Sequence, residues 1–406
     1  AEAVAVTTAP GPRAILLLRR ATLVAFDLET LDPLTPLVEE ATALATTLDD
    51  APALLAKLQL LWAVTLNEIA GDAPAARIAL AEADRQAAAS GDPVLRAFVT
   101  LRLGYQALDV CDFAAAEQLM TDAIKTFDDL GHERGAAMAL QGLSCTHDER
   151  YELAPALAAA EAAARRFGAI GSRGRALMAE EMRGQRLIRL GVFEEAVAVL
   201  TDVIEGYRRR GTLSLIPETR VWLASGLAAA GRIREADDTY AEGIGELAAT
   251  GQPNMLRFVL FPWARFLLDQ GRTLEAELAA IDLARLHAAT GAEPLVAASE
   301  ALLGHVVLQA GNPEKAMTHA TTAWRAVGGE RMAEGLVDPI LTMLDCRAVF
   351  LATEQPDRAQ EALAIAGVHM RRAAGAITDP ALRAGYLSRV PECRAVVAAE
   401  RAGSAA

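Results

Sequence analysis

The sequence predicts an all-α chain: a right-handed α-α superhelix, a solenoid of about eight helix pairs with a 40-residue period. Three columns of residues in phase predict it. Glycine returns at Gly71, Gly191, Gly231, Gly271 and Gly311, with Cys111 and Tyr151 in the two remaining places. Alanine fills Ala76, Ala116, Ala156, Ala196, Ala236, Ala276 and Ala316 without a gap. A third column, Gly91, Gly131, Gly171, Gly211, Gly251 and Gly291, marks the junction to the next unit. The first glycine makes the turn between two helices and the second ends the pair, since glycine takes the left-handed backbone at little steric cost. A chain rich in Ala and Leu and poor in β-branched runs agrees with helix throughout.

In chain order, residues 1–10 read as a disordered start. Residues 11–50 form a degenerate capping repeat, with a helix over about Arg13–Thr30, a turn at Leu31-Asp32-Pro33, and Pro36 where alanine is expected. A terminal repeat packs on one side only and tolerates that change. Seven repeats occupy 51–330, the first with helices near 53–70 and 74–90. Pro74 sits in a first helical turn, where its missing N–H costs nothing. Arg208, Arg209 and Arg210 precede Gly211, a favourable place for cations at a helix C-terminus. The phase slips after Gly311. A degenerate eighth pair then covers about 333–353 and 356–375, with Ala359 in the alanine column, and one last helix near 379–402 caps the stack within 331–406. Residues 403–406 should fray. The chain opens Ala1-Glu2-Ala3 without Met, as a piece of a longer protein or a processed chain would.

Composition narrows the function classes. With 52% apolar residues the chain can build a continuous core. A formal charge of -14 repels phosphate backbones and anionic membranes, so neither nucleic acid nor membrane is expected as a direct partner. No apolar run is long enough to span a bilayer, and no signal peptide is visible. Cys111, Cys145, Cys346 and Cys393 are scattered with no Cys-x-x-Cys, so free thiols in a reducing, cytoplasmic compartment are expected. No cofactor or metal motif is present. His147-Asp148-Glu149 lacks the His-Glu-x-x-His spacing that sets two ligands one helical turn apart. Gly168, Gly171 and Gly174 follow a helix rather than a strand and fit a repeat junction. Gly243 and Gly245 fall inside a second helix, where they should relieve packing, and Trp62, Trp222, Trp263 and Trp324 read as core. No nucleophile–base pair is assembled, so the chain is not expected to be an enzyme.

Each alanine of the second helix is preceded by twelve positions by a small residue in the first: Gly104, Ser144, Gly184, Ala224, Ala264 and Gly304, with Val64 the exception. This spacing resembles the tetratricopeptide repeat, although 40 residues exceed that family's usual length and enter the range of HEAT repeats. A second resemblance lies in Ile377-Thr378-Asp379-Pro380-Ala381-Leu382-Arg383, Tyr386-Leu387 and Val390-Pro391-Glu392-Cys393-Arg394. This stretch is similar to the end of the repeat region in bacterial signal-transducing ATPase regulators, including LuxR-like and maltose-regulator-like activators and multidomain cyclases. There the repeats sense an effector while a separate ATPase module switches. No Gly-x-x-x-x-Gly-Lys-Ser/Thr loop and no basic helix-turn-helix occur here, so the resemblance implies the sensing arm alone.

The tetratricopeptide resemblance implies that the first helix of each pair lines a concave groove. Counting along the helix from the small column places polar side chains there. Repeats two to four supply Tyr105, Asp109, Gln141, Cys145, Asp148, Glu149, Glu181, Gln185 and Arg189, and later repeats add Arg265, Asp269 and His305. The expected function is binding of a peptide, a protein or a small polar effector in that groove. The alternative is the effector-sensing arm of a larger ATPase-driven transcriptional or signalling regulator.

Overall fold

The computed structural model describes residues 9–25, 31–48, 51–249, 253–327 and 335–404. Among them it holds 20 α-helices, one short 3-10 turn and no strand. Helices α1 (Pro10–Ala25) and α2 (Thr35–Ala45) form the entry pair. The seven repeats follow as α3 (Ala51–Glu68) with α4 (Ala73–Ser90), α5 (Pro93–Asp109) with α6 (Phe113–Asp129), α7 (Glu133–Glu149) with α8 (Leu153–Ala169), and α9 (Arg173–Arg189) with α10 (Phe193–Arg210). They continue as α11 (Ile216–Ala229) with α12 (Ile233–Ala249), α13 (Pro253–Asp269) with α14 (Thr273–Thr290), and α15 (Glu293–Gln309) with α16 (Pro313–Val327). The eighth pair is α17 (Pro339–Ala352) with α18 (Pro356–Ala376), and two short helices, α19 (Pro380–Arg389) and α20 (Pro391–Ser404), end the chain. The chain divides into two compact units, Ala1–Gly142 and Leu143–Ala406, with the division inside α7 and no linker between them.

The turn column follows from backbone geometry. Gly191 has φ +78°, its N–H bonds to the Ile188 carbonyl at 3.0 Å, and the Val192 N–H reaches back to the Leu187 carbonyl at 2.9 Å. This Schellman closure satisfies carbonyls that the helix end leaves open. Cys111 at φ +60° and Tyr151 at φ +59° repeat it without glycine, and so does Glu354 at φ +56°. Glu354 is the turn of the eighth pair. The 40-residue register therefore survives through α17 and slips only at that turn, which moves the alanine to Ala359, 2% exposed.

The alanines from Ala116 through Ala316 are fully buried, and the small column explains why. A Cβ on Gly304 would lie 3.2 Å from the Ala316 carbonyl oxygen and 3.3 Å from the Ala320 nitrogen. In the third repeat the Ser144 Oγ donates to the Ala156 carbonyl at 2.8 Å. In both repeats, residues twelve positions apart make the closest approach of the pair. Gly243 does relieve packing, since its Cβ would meet the Pro217 carbonyl at 2.9 Å, whereas Gly245 faces open space. The tryptophans pack against partners: Trp263 stacks on Phe266 with centroids 5.8 Å apart, and Trp324 meets Phe350 edge-on at 5.3 Å.

Several boundaries differ from expectation. Helix α1 already begins at Pro10 and ends at Ala25; residues 1–8, 26–30 and Gly251 lie outside the described residues, as do 333–334 at the expected start of the eighth pair. Pro36 is accommodated in the first turn of α2. The single capping helix is two, because Pro391 lacks an N–H and holds Val390 extended at φ -64°, ψ 121°. Gly403 and Ser404 remain helical, and residues 405–406 lie outside the described residues. The four cysteines are free, and no described helix is long and apolar enough to cross a membrane.

A non-glycine residue held in the left-handed region costs about 1 kcal/mol. Glu354 is exposed and contributes no buried surface, so Glu354→Gly should raise the urea midpoint of the chain. Tyr151→Gly should lower it, since the ring is 5% exposed and its loss outweighs the relief by roughly 3 kcal/mol. A lower midpoint for Glu354→Gly would contradict the backbone account.

Candidate binding groove

Several successive first helices contact one another within each unit: α3 with α5 in the first, and α9 with α11, α11 with α13, α13 with α15 and α15 with α17 in the second. In the first unit, the Arg102 guanidinium sits 5.5 Å from the Tyr105 ring centroid, and Asp109 accepts a hydrogen bond from Asn67 Nδ2 at 3.2 Å. Gln141 is buried, at 6% exposure. The remaining expected groove residues belong to the second unit.

There Arg189 is the hub. It projects from the last turn of α9, and its Nη1 donates to Asp148 Oδ1 at 2.6 Å. Its Nη2 donates to the Val337 carbonyl at 2.9 Å, and its guanidinium lies 4.7 Å from the Tyr151 ring centroid. Arg186 lies one turn earlier on the same helix. It reaches Asp148 Oδ2 at 3.5 Å and donates to Gln185 Oε1 at 2.9 Å. Glu149 completes the group. Burial pushes its carboxyl up to about 7, Asp148 beside it adds to the shift, and Arg189 and Arg186 only partly offset it.

A second group lies along one column of the stack. Arg265, His305 and Asp345 occupy equivalent positions in α13, α15 and α17, each 40 residues from the next. Arg265 makes a two-pronged bond to Asp345, with Nη1 to Oδ1 at 2.9 Å and the second contact from Nη2 to Oδ2. His305 Nδ1 meets the same Oδ1 at 2.7 Å. Asp345 is 1% exposed. Burial alone would raise its carboxyl, yet Arg265 and His305 outweigh burial and hold it below the ordinary aspartate value. Breaking a buried pair of this kind by removing one partner costs about 3–5 kcal/mol. Asp269, at the end of α13, is shifted upward by partial burial, with Arg265 opposing.

The two groups are joined by residues absent from the sequence-based set. Asp338 caps α17 by accepting from the Leu341 N–H at 2.9 Å, and it feels the charges of both Arg189 and Arg265. Glu392 at the start of α20 also feels both arginines, with Asp338 repelling it. Burial raises both carboxyls. Asp345 was within reach of the column count; Asp338 and Glu392 fall in stretches with no repeat and carry no such signal.

The other expected residues take separate places. Glu181 accepts from the Tyr207 hydroxyl at 3.0 Å and from Thr219 Oγ1 at 2.9 Å, and burial with Glu218 nearby raises its carboxyl. Burial pushes the Cys145 thiol up to about 11, so it stays protonated at neutral pH. His147 turns away to bond Glu152 Oε2 at 2.8 Å. Two open surface depressions, of about 320 Å³ beside Gly291 and Thr322 and about 510 Å³ beside Met317 and Glu354, lie outside these columns.

No family model matches the sequence, and no curated protein matches it. Solved structures do share its architecture. A Rap protein complexed with competence and sporulation factor aligns with a TM-score of 0.68 at 13% identity, covering 90% of this chain and 99% of that one. The chain has a tetratricopeptide-like repeat fold. The Rap conjugation gene regulator of plasmid pLS20, in complex with the Phr* peptide, gives a TM-score of 0.58 at 12% identity over 90% of this chain and 98% of its own. NprR with its cognate peptide NprX gives 0.53 at 13% identity over 84% and 98%. At these identities the likeness is one of fold. The specific tie to LuxR-like or maltose-regulator-like activators finds no counterpart among these structures.

The charged interior sets a pH dependence. Glu149 has its folded value raised from 4.5 to about 7, so the folded state binds a proton that the unfolded chain releases, and its contribution is lost as pH rises through that window. Asp345 has a depressed value, and its contribution is lost as pH falls below 3.8. Because the raised Glu149 favours the folded state only below that window, the urea midpoint of Glu149→Gln relative to the parent chain should rise from pH 5 to 7.5. A relative midpoint that stays flat or falls over this range would contradict the assignment.

Proposed function

We propose that the chain is a binding module that takes up a peptide or protein segment on the inner face of its helix stack. One observation carries this reading. In the second unit the first helices of the repeats hold Arg186, Arg189, Arg265, His305, Asp148, Glu149, Asp269 and Asp345, and Asp338 and Glu392 join them from outside the repeat columns, whereas the alanine column of the same repeats is fully buried. Buried charge adds little to stability compared with apolar packing of equal volume, so its concentration on one face favours recognition over support. Arg189 shows the chemistry available, because it already holds a main-chain carbonyl of residue 337. A planar guanidinium does the same for a peptide backbone or a carboxylate. The three similar structures are complexes with a signalling factor or a peptide, which supports the same use of the fold here.

Within a longer regulator such a module would serve as an effector-sensing arm. That reading rests on the C-terminal motif, whose residues here cap α19 through Asp379 and bury Tyr386, Val390 and Cys393. The free thiols fit a reducing, cytoplasmic, bacterial setting for either role.

A random-peptide display library panned on the full chain tests the reading. Enriched peptides should bind in solution and lose about tenfold affinity or more with Arg189→Lys, which keeps the charge but not the planar fork, or with Gln185→Ala, a loss of ~1.4 kcal/mol. Peptides that bind with affinity indifferent to both substitutions, or no enrichment at all, would overturn it.

A further inference from the structure

The two last helices do more than end the stack. Helix α19 buries a single side chain, Tyr386, out of ten residues, and α20 follows it across the break at Pro391. Tyr386, Val390, Cys393 and Val396 nevertheless belong to the same apolar cluster as Tyr151, Leu153 and Leu190 of the third and fourth repeats. The approach is close: a Cβ on Gly191 would lie 3.2 Å from Val390 Cγ2 and 3.4 Å from the Gly385 carbonyl oxygen. The end of the chain thus lies on the αL turns at Tyr151 and Gly191, far earlier in the sequence.

The burial is thinner than in the stack: α19, Val390 and α20 together bury Tyr386, Val390, Cys393 and Val396, with Leu382, Leu387, Val397 and Ala399 partly covered, whereas α15 alone buries eight side chains, among them Leu302, Leu303, Val306 and Val307. A segment with few buried apolar contacts opens at a lower free energy than the core it rests on. The hinge is well defined, since Ile377 leaves the helix with φ -82° and ψ 107°, and Asp379 starts α19 by accepting from the Ala381 N–H at 2.8 Å.

We propose that α19–α20 is a latch that covers the Tyr151–Gly191 surface of the second unit and opens as one piece, ahead of the rest of the stack, to expose it. The uncovered surface is the Tyr151 ring, Leu190 and the bare backbone at Gly191, with Arg189 at its edge. The latch itself shows what fits: a short helix carrying an aromatic residue and, four positions later, an aliphatic one, as Tyr386 and Val390 do. An incoming segment of that pattern would occupy the place the latch vacates. The latch is a property of the unliganded chain and stands independently of the peptide-binding role.

Hydrogen–deuterium exchange on the full, unliganded chain tests it. Residues 380–404 should exchange faster than 339–376. Tyr386→Ala should speed exchange about tenfold or more both there and at the amides of Tyr151, Glu152, Gly191 and Val192, which the closed form holds in turn hydrogen bonds of 2.8–3.0 Å. Tyr386→Phe keeps the buried ring and should restore protection at both places. Val390→Ala provides the same readout if Tyr386→Ala does not fold. Exchange of 380–404 that leaves the four turn amides protected would mark a fraying end and overturn the latch. So would a loss of protection spread evenly over the second unit.

Discussion

Everything in this chain depends on how closely the two helices of a pair approach. A Cβ at Gly304 would meet the backbone of the second helix at 3.2 and 3.3 Å, closer than ordinary contact, so anything beyond hydrogen there pushes the two backbones apart. That contact recurs from pair to pair, and the apolar side chains around it form several clusters within the two units. Positive φ at the turn is its companion, since only a left-handed residue brings the chain round in so few positions. The chain accepts backbone strain at Cys111, Tyr151 and Glu354 rather than abandon that geometry.

The same arithmetic creates the interior of the second unit. First helices lean on one another, so residues 40 apart become neighbours along a column, and residues 80 apart, such as Arg265 and Asp345, come into direct contact. Charges that would be scattered over a flat surface are drawn into one buried set. The carboxylates there outnumber the arginines, and burial raises Glu149, Asp338 and Glu392, so that protonation keeps the balance. The end of the chain finishes the enclosure by placing Glu392 and Tyr386 against it.

The repeat was legible because it depends on residue size at fixed spacing, and size is written directly in the sequence. Gly104, Ser144 and Gly184 stand twelve positions before Ala116, Ala156 and Ala196 in the sequence itself. The site was legible only in part. A column count says which face a side chain takes but not how deep it lies, and Gln141 at 6% exposure and Asp345 at 1% lie deeper than the count can show. Pairings across repeats depend on the curvature of the stack, which no local pattern encodes. That is why Asp345 was missed as the partner of Arg265 although it continues the same column. Asp338 and Glu392 enter from segments outside the period. The break before Pro391 was available in the sequence, but the apolar pattern over 379–402 runs through it.

In the seventh repeat the backbone of the second helix requires a small residue in the first, and one comparison isolates that requirement. Urea unfolding of the full chain should be measured for Gly304→Val and Gly245→Val, both helical glycines of the second unit. At Gly304 a Cβ meets backbone atoms at 3.2 and 3.3 Å, and at Gly245 it meets nothing within 4 Å. The account predicts a loss of about 2 kcal/mol for the first, as overpacking costs, and little change for the second. Equal effects at the two sites would contradict it.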